Sequence, residues 1–289
     1  MNSLLTPAVA GLSAGGAYAI LGVCAIFTYR LVAVVNFTGA AIGGCGAFVM
    51  VVLTEHGMPL LPAVAIGVFA GALAALAVGF MTTIWFSGSS ASVKAAVTAA
   101  LLVGIIAMGL RLTGGQHPKH FPDLVGGAWL RVADVQITNA SLVTIAMAVV
   151  LTVAAELFLA RTRTGLELRA LSERPMAAEL LGIRVRLLAL GVWAVAGAVT
   201  SFALMLIAPL RSPDFASLSL LVVPALAAAL VGAFRSFRAA LAGGLLIGVV
   251  EGLASGLVGL NQYRAAVPLL VILLVLLWSQ RGARWDEAR

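Results

Sequence analysis

Apolar residues fill this chain in stretches of about twenty, each closed by a short polar or charged interruption, and the stretches show neither strand alternation nor one polar face. A helix that crosses a bilayer needs roughly 20 such residues. The pattern therefore predicts membrane-spanning helices at 7–29, 34–54, 60–86, 93–112, 140–160, 187–209, 217–234, 239–258 and 264–279. The span at 217–234 is short and carries Pro224, which predicts a broken or re-entrant segment whose backbone is covered by protein. The fold class expected is an all-α integral membrane protein: a polytopic bundle of about nine transmembrane helices, with eight to ten allowed, forming a single transmembrane domain over 1–289.

The longest polar interruption is Arg161 to Arg186, RTRTGLELRALSERPMAAELLGIRVR, with six arginines and three glutamates. It must lie in water. Placing it in the cytoplasm and alternating outwards leaves only Arg111, Lys119, Arg131, Arg211 and Arg264 outside, and the other thirteen of the 18 basic residues inside. Positive charge concentrated on the cytoplasmic side is what sets membrane topology, so the N-terminus is expected outside and the C-terminus inside. No Lys or Arg occurs in the first 29 residues, so the first span reads as retained rather than as a cleaved leader.

Composition agrees with a membrane protein: of 289 residues 62% are hydrophobic and 10% charged, too few charges to cover a water-soluble domain of this size. The net charge of +7 comes from residues that punctuate apolar runs, which points to anionic lipid headgroups and not to nucleic acid. Cys24 and Cys45 lie inside apolar runs without CxxC spacing and read as small core residues. The spans are rich in small residues; Gly244, Gly248, Gly252 and Gly256 recur every four residues, as do Gly39, Gly43 and Ala47, a spacing that lets helices approach closely.

The chemistry is sparse. Lys94 and Lys119 are the only lysines and neither belongs to a GxxxxGK[ST] loop, so no nucleotide is bound or hydrolysed by such a loop here, and no nucleophile with its base marks an enzyme. The outer loop, 113–139, holds His117, His120 and Asp123 among prolines and glycines and reads as an ordinary solvated loop. Glu156, one turn from the cytoplasmic end, is expected to pair with or snorkel towards Arg161 and Arg163. Glu251, on the glycine-rich helix, reads either as a helix-packing hydrogen bond or as part of a solute pathway. Asn36, Thr38, Thr200 and Ser201 are further pathway candidates, chosen for polarity and position.

Within the arginine-rich loop, Leu166, Arg169 and Ala170 fit helical spacing, and a second short helix is expected to start at Pro175 and end at Gly182. Met176 and Leu180, with Ala177 and Leu181 beside them, would form an apolar ridge. A helix that short needs a partner to hold it.

These residues resemble the permease subunits of ATP-binding-cassette importers for branched-chain amino acids. RTRTGLELRALSERPMAAELLGI is similar to that family's cytoplasmic coupling motif, with Gly165 and Arg169 in its first half and Pro175, Met176, Ala177, Ala178, Leu180, Leu181 and Gly182 in its second. GLSAGGAYAILGV, NFTGAAIGGCGAFV and GGLLIGVVEGLAS match in the expected order. The chain departs from the pattern at Thr38-Gly39-Ala40, where the family continues A-H-G after NF, at Arg174, which replaces an acidic residue, and at GAFRSFR near Gly232, where a G-x-G-S turn is usual. The resemblance implies a multi-pass subunit of the bacterial inner membrane in which 161–186 is the coupling loop and 113–139 is periplasmic. It also implies a second, homologous permease subunit in a heterodimer, two cytoplasmic ATPases carrying the ATP and magnesium, and a periplasmic or lipid-anchored solute-binding protein. The solute, a branched-chain amino acid or a small amide or urea, would cross by alternating access at the interface between the two permeases. The alternative is a self-contained ion-coupled carrier or channel.

Overall fold

Residues 2–86, 88–132, 135–173, 180, 184–210, 214–257 and 259–280 are described by a computed structural model of the chain. The elements in order are α1 (Asn2–Val32), α2 (Gly39–Glu55), α3 (Leu60–Phe80, continued by a π-helical turn Met81–Trp85), α4 (Ala91–Thr113), a hairpin β1 (Ala128–Val132) and β2 (Val135–Thr138), α5 (Asn139–Arg161), α6 (Arg163–Glu173), α7 (Val185–Ile207), α8 (Phe215–Ser219), α9 (Val222–Val231), α10 (Phe237–Gly256) and α11 (Val267–Gln280). Among the described residues seven helical segments are long and apolar enough to cross a membrane, and two more apolar segments, Gly39–Glu55 and Phe215–Val231, are shorter.

Helix α1 is the axis of the bundle. Ala17, Tyr18, Ala19 and Ile20 are buried on it, and α5, α7, α9 and α10 surround it. A second group, α2, α3 and α7, packs beside the first, so α7 belongs to both. Apolar side chains gain nothing from leaving lipid for one another, and such helices are held by close backbone contact and hydrogen bonds. The glycines supply that contact. On α10, Gly244, Gly248 and Gly252 meet the backbone of Ala19, Gly15, Gly11 and Pro7 on α1 so closely that a Cβ on any of them would overlap it. Gly43 lies against the Thr200 carbonyl of α7, and Gly46 of α2 faces the carbonyl of Gly67 on α3, which a Cβ would approach to 2.6 Å.

Helix ends follow local chemistry. Ser90, Thr138 and Ser236 cap α4, α5 and α10 by accepting from Val93 N, Ser141 N and Ala239 N, and α4 stops at Gly114 in the left-handed conformation. The predicted break in 217–234 is present: α8 ends at Ser219 and α9 begins at Val222, with Pro224 in its first turn, where a missing N–H costs no helical bond.

Three readings of the sequence need correction. The outer loop is not wholly irregular, because Ala128–Val132 and Val135–Thr138 pair antiparallel, so the all-α expectation holds for the membrane body only; both segments are rich in β-branched and aromatic residues. Helix α2 starts five residues later than the apolar run suggested: Ala33 takes a left-handed φ of 54° and residues 33–36 run without helix. Glu156 pairs with Arg238 of α10, Oε2 lying 2.7 Å from Nη2 and 2.9 Å from Nε. Residues five apart, such as Glu156 and Arg161, do not share a helix face, whereas α10 runs beside α5.

Candidate solute pathway

The interruption between α1 and α2 brings a polar group into the bundle. Asn36 sits in the link, buried, and its Oδ1 accepts hydrogen bonds from Thr38 N (2.9 Å) and Thr38 Oγ1 (2.7 Å). The link is tied to α4, since Thr98 Oγ1 donates to the Val35 carbonyl at 2.9 Å and accepts from Phe37 N at 3.4 Å. Non-helical backbone at membrane depth is tolerated where protein covers it or a cavity adjoins it. A cavity of about 20 Å³ does adjoin it, lined by Asn36, Gly39 and Ala40 with Leu21 of α1, Trp193 and Thr200 of α7, and Ala225 of α9. That is room for about one water molecule.

Around this cavity the polar groups offer both donors and acceptors. The amides of the first turn of α2 begin there, and a helix N-terminus carries partial positive charge. Trp193 is fully buried and its indole Nε1 has no hydrogen-bond partner among the described residues. Thr200 Oγ1 donates to the Gly197 carbonyl at 3.1 Å, which leaves its lone pairs. Of the candidates chosen from sequence, Asn36 and Thr200 line the cavity and Thr38 is the buried partner of Asn36. Ser201 faces elsewhere: it donates to the Gly197 carbonyl at 2.7 Å and fits against Gly46 and Gly71.

Glu251 lines a second, larger cavity of about 690 Å³ at the end of the bundle opposite α6. Tyr18 Oη donates to its Oε2 at 2.5 Å, joining α1 to α10. The two cavities are near each other. Along α1, Ala14 lines the larger and Leu21 the smaller, a separation of about 10 Å at 1.5 Å per residue, and on α8–α9 the adjacent Leu221 and Val222 line one each. Tyr18, Trp193, Asp214 and Arg264 were not singled out in the sequence. The signal for Tyr18 was its place seven residues after Gly11 on one helix face, which puts it against α10 as well.

At the opposite end the arginines gather. Arg30 Nη1 donates to the Arg235 carbonyl at 3.1 Å and its guanidinium lies 5.5 Å from the Phe237 ring centre. Helix α6 folds back onto α5 and α1. Gly165 makes this possible, because a Cβ there would overlap the Phe158 carbonyl and come within 2.8 Å of Leu159 Cα. Gly165 and Leu168 form the buried side, while Leu166 and Arg169 are exposed. Of the second half of the loop only Leu180 is described, and it is exposed; Pro175, Met176, Ala177, Ala178, Leu181 and Gly182 lie outside the described residues.

The sequence profile of the family described as branched-chain amino acid transport system, permease component, matches residues 8–276. The chain belongs to that family. Among its relatives, the high-affinity branched-chain amino acid transport system permease protein BraD of Pseudomonas aeruginosa is 24% identical, with 95% of this chain and 93% of that one aligned. The LivH permease protein of Escherichia coli, of the same description, is 25% identical over 94% and 92% of the two chains. A probable branched-chain amino acid transport permease protein LivH of Methanocaldococcus jannaschii is 24% identical over 69% and 68%. Among solved structures, PsaBC from Streptococcus pneumoniae in complex with Fab shares the fold, with a TM-score of 0.51, 16% identity, and 96% of this chain and 91% of that one covered. As a member of this permease family the chain is a multi-pass membrane component of a transport system.

Proposed function

We propose that this permease is the membrane subunit of an ATP-driven importer for branched-chain amino acids or similarly small solutes, working by alternating access. The observation that carries the reading is the family match over residues 8–276, which runs through both interrupted helices and the arginine-rich loop. In this reading nine segments span the bacterial inner membrane, the seven long helices and the two shorter ones, with the N-terminus outside and the arginine end in the cytoplasm. A second permease subunit, two ATPases holding ATP and magnesium, and a solute-binding protein complete the assembly, in contact with anionic lipid.

The solute route runs past Asn36, Thr38 and Thr200, with Ser201 and Glu251 at its margins. What supports a route inside the subunit, and not only along its contact with the second permease, is that Asn36 and Thr200 adjoin a cavity enclosed by α1, α2, α7 and α9. The small cavity then represents a closed stage, and separation of α2 from α7 opens it. Gly165 and Leu168 seat the first half of the coupling element against the bundle, with Arg169 on its exposed side, and Pro175 to Gly182 presents Met176 and Leu180 to an ATPase groove.

The test is the double variant Met176→Asp with Leu180→Asp in the assembled transporter. ATP-dependent leucine uptake is expected to be lost while the subunit still reaches the membrane; uptake at the wild-type rate would refute the coupling role. A self-contained carrier is the second reading, favoured by the Tyr18–Glu251 contact beside a cavity. Ion-driven uptake by this chain alone would support it.

A further inference from the structure

We infer that α4 is a connecting rod in this permease: Thr98 positions the α1–α2 link at one end, Gly109 seats α8 at the other, and the walls of the two cavities therefore move together; this rests on the alternating-access reading above. Thr98 and Gly109 are the two buried residues of α4, a helix that leaves Val103, Met108 and Leu112 exposed. Eleven residues separate them, close to three helical turns, so they share one face at a spacing of about 16 Å.

The two seats differ in kind. Residues 33–36 are not helical, and the Val35 carbonyl and Phe37 N–H need partners at membrane depth. Thr98 Oγ1 answers both. Its proton is shared between the Val35 and Ala95 carbonyls, each 2.9 Å away, and its lone pair accepts from Phe37 N at 3.4 Å. The link so held carries Asn36, which lines the smaller cavity. At the other seat the ring of Phe215, the first residue of α8, lies where a Cβ on Gly109 would be. Phe215 is buried, and Asp214, Ser217, Leu218 and Leu221, on and beside α8, line the larger cavity. Each of the two breaks in the helical bundle thus leans on α4.

A rod must be stiff along its length and free to shift. Helix α4 runs without interruption from Ala91 to Thr113, capped by Ser90 and ended by Gly114, so a displacement at one seat is carried to the other. Between the seats Gly104 meets nothing that a Cβ would touch within 4 Å among the described residues, whereas α10 is locked against the backbone of α1 by Gly244, Gly248 and Gly252. Helix α2 offers a second route, because it follows the link directly and its Phe48 ring lies 5.3 Å from that of Phe215. Variants confined to α4 separate the two helices. Thr98 is a positioning residue that acts through the link.

The experiment is amide hydrogen exchange of the full-length chain in lipid nanodiscs, read over residues 33–40 and 214–221. Thr98→Val removes the hydroxyl at nearly constant shape, and is expected to speed exchange at 33–40 by about three- to tenfold. It is also expected to speed exchange at 214–221, by about twofold or more. Gly109→Ala displaces Phe215 and is expected to act in reverse, at 214–221 first and at 33–40 as well, because coupling is reciprocal. Thr98→Ser keeps the hydroxyl and is expected to leave both regions as in the wild type. If each variant speeds exchange only at its own seat, or if Thr98→Ser behaves as Thr98→Val does, the rod is overturned. Should Gly109→Ala not fold, Phe215→Leu loosens the same seat without adding atoms; should Thr98→Val not fold, the response of 33–40 to Gly109→Ala decides. ATP-dependent leucine uptake by the assembled wild-type transporter is measured alongside. Its failure speaks against the importer reading, whereas normal uptake with purely local exchange effects speaks against the rod alone.

Discussion

Asn36 holds two donors of Thr38 through one oxygen, and this small motif fixes the link between α1 and α2. Thr38→Val removes the 2.7 Å bond and is expected to lower stability by about 1 kcal/mol, the net worth of one buried hydrogen bond; thermal unfolding in detergent checks it. Trp193 poses the opposite case. Its indole N–H is buried and has no partner among the described residues, and an unsatisfied buried donor costs about 1–3 kcal/mol. Trp193→Phe is therefore expected to leave the melting temperature unchanged or raised while weakening leucine uptake, if the donor serves a solute acceptor. A variant that unfolds would show that the indole is needed for packing alone. Polarity and position were enough to select Asn36 and Thr200 from the sequence, but not to separate Thr200 from its neighbour Ser201. Which of two adjacent residues turns to a cavity depends on the rotation of α7, and that is set by Gly46 and Gly71 on two other helices.

Pairs of helices in this fold are registered by glycines, and the effect is position-specific. Gly248→Leu on α10 drives a side chain into the backbone of Gly11 and Gly15, and is expected to prevent stable folding. Gly104→Ala on α4, where a Cβ meets nothing within 4 Å among the described residues, is expected to stabilise the helix by about 0.5–1 kcal/mol. A comparison of folded yield and melting temperature for the two variants tests this directly. The four-residue spacing on α10 announced close packing in the sequence, and the partner, α1 with its own Gly11 and Gly15, fits the same rule. Helix ends were less legible. Hydropathy is continuous from Val34 into α2, so it could not show that Ala33 leaves the helical region or that a Thr38–Asn36 bond stands in for a helical turn. Pro224 did signal an interruption, yet the break falls three residues before it because proline is accepted in a first turn. The same limit applies to Glu156: its partner Arg238 is 82 residues away, and only the packing of α10 beside α5 brings them together.

The whole molecule has two unlike ends. At one, Arg30, Arg235, Arg238 and α6 gather; at the other, Lys119 pairs with Glu55 at 2.9 Å beside the larger cavity's end of the bundle. That exposed pair ties the loop before the hairpin to α2, and Glu55→Gln is expected to change stability by less than about 1 kcal/mol. The charge bias that separates these ends was readable from the sequence, as was the membrane character of the bundle, because both depend on composition and not on contacts. The proposed function belongs to this scale too, since a permease whose sequence has no GxxxxGK[ST] loop would draw on ATP through partner subunits. The direct measurement is uptake of labelled leucine into proteoliposomes that contain either this chain alone or this chain co-purified with its partner subunits and binding protein. The account expects accumulation only in the second case and only with ATP and magnesium on the ATPase side; accumulation by the chain alone, driven by a proton or sodium gradient, would contradict it.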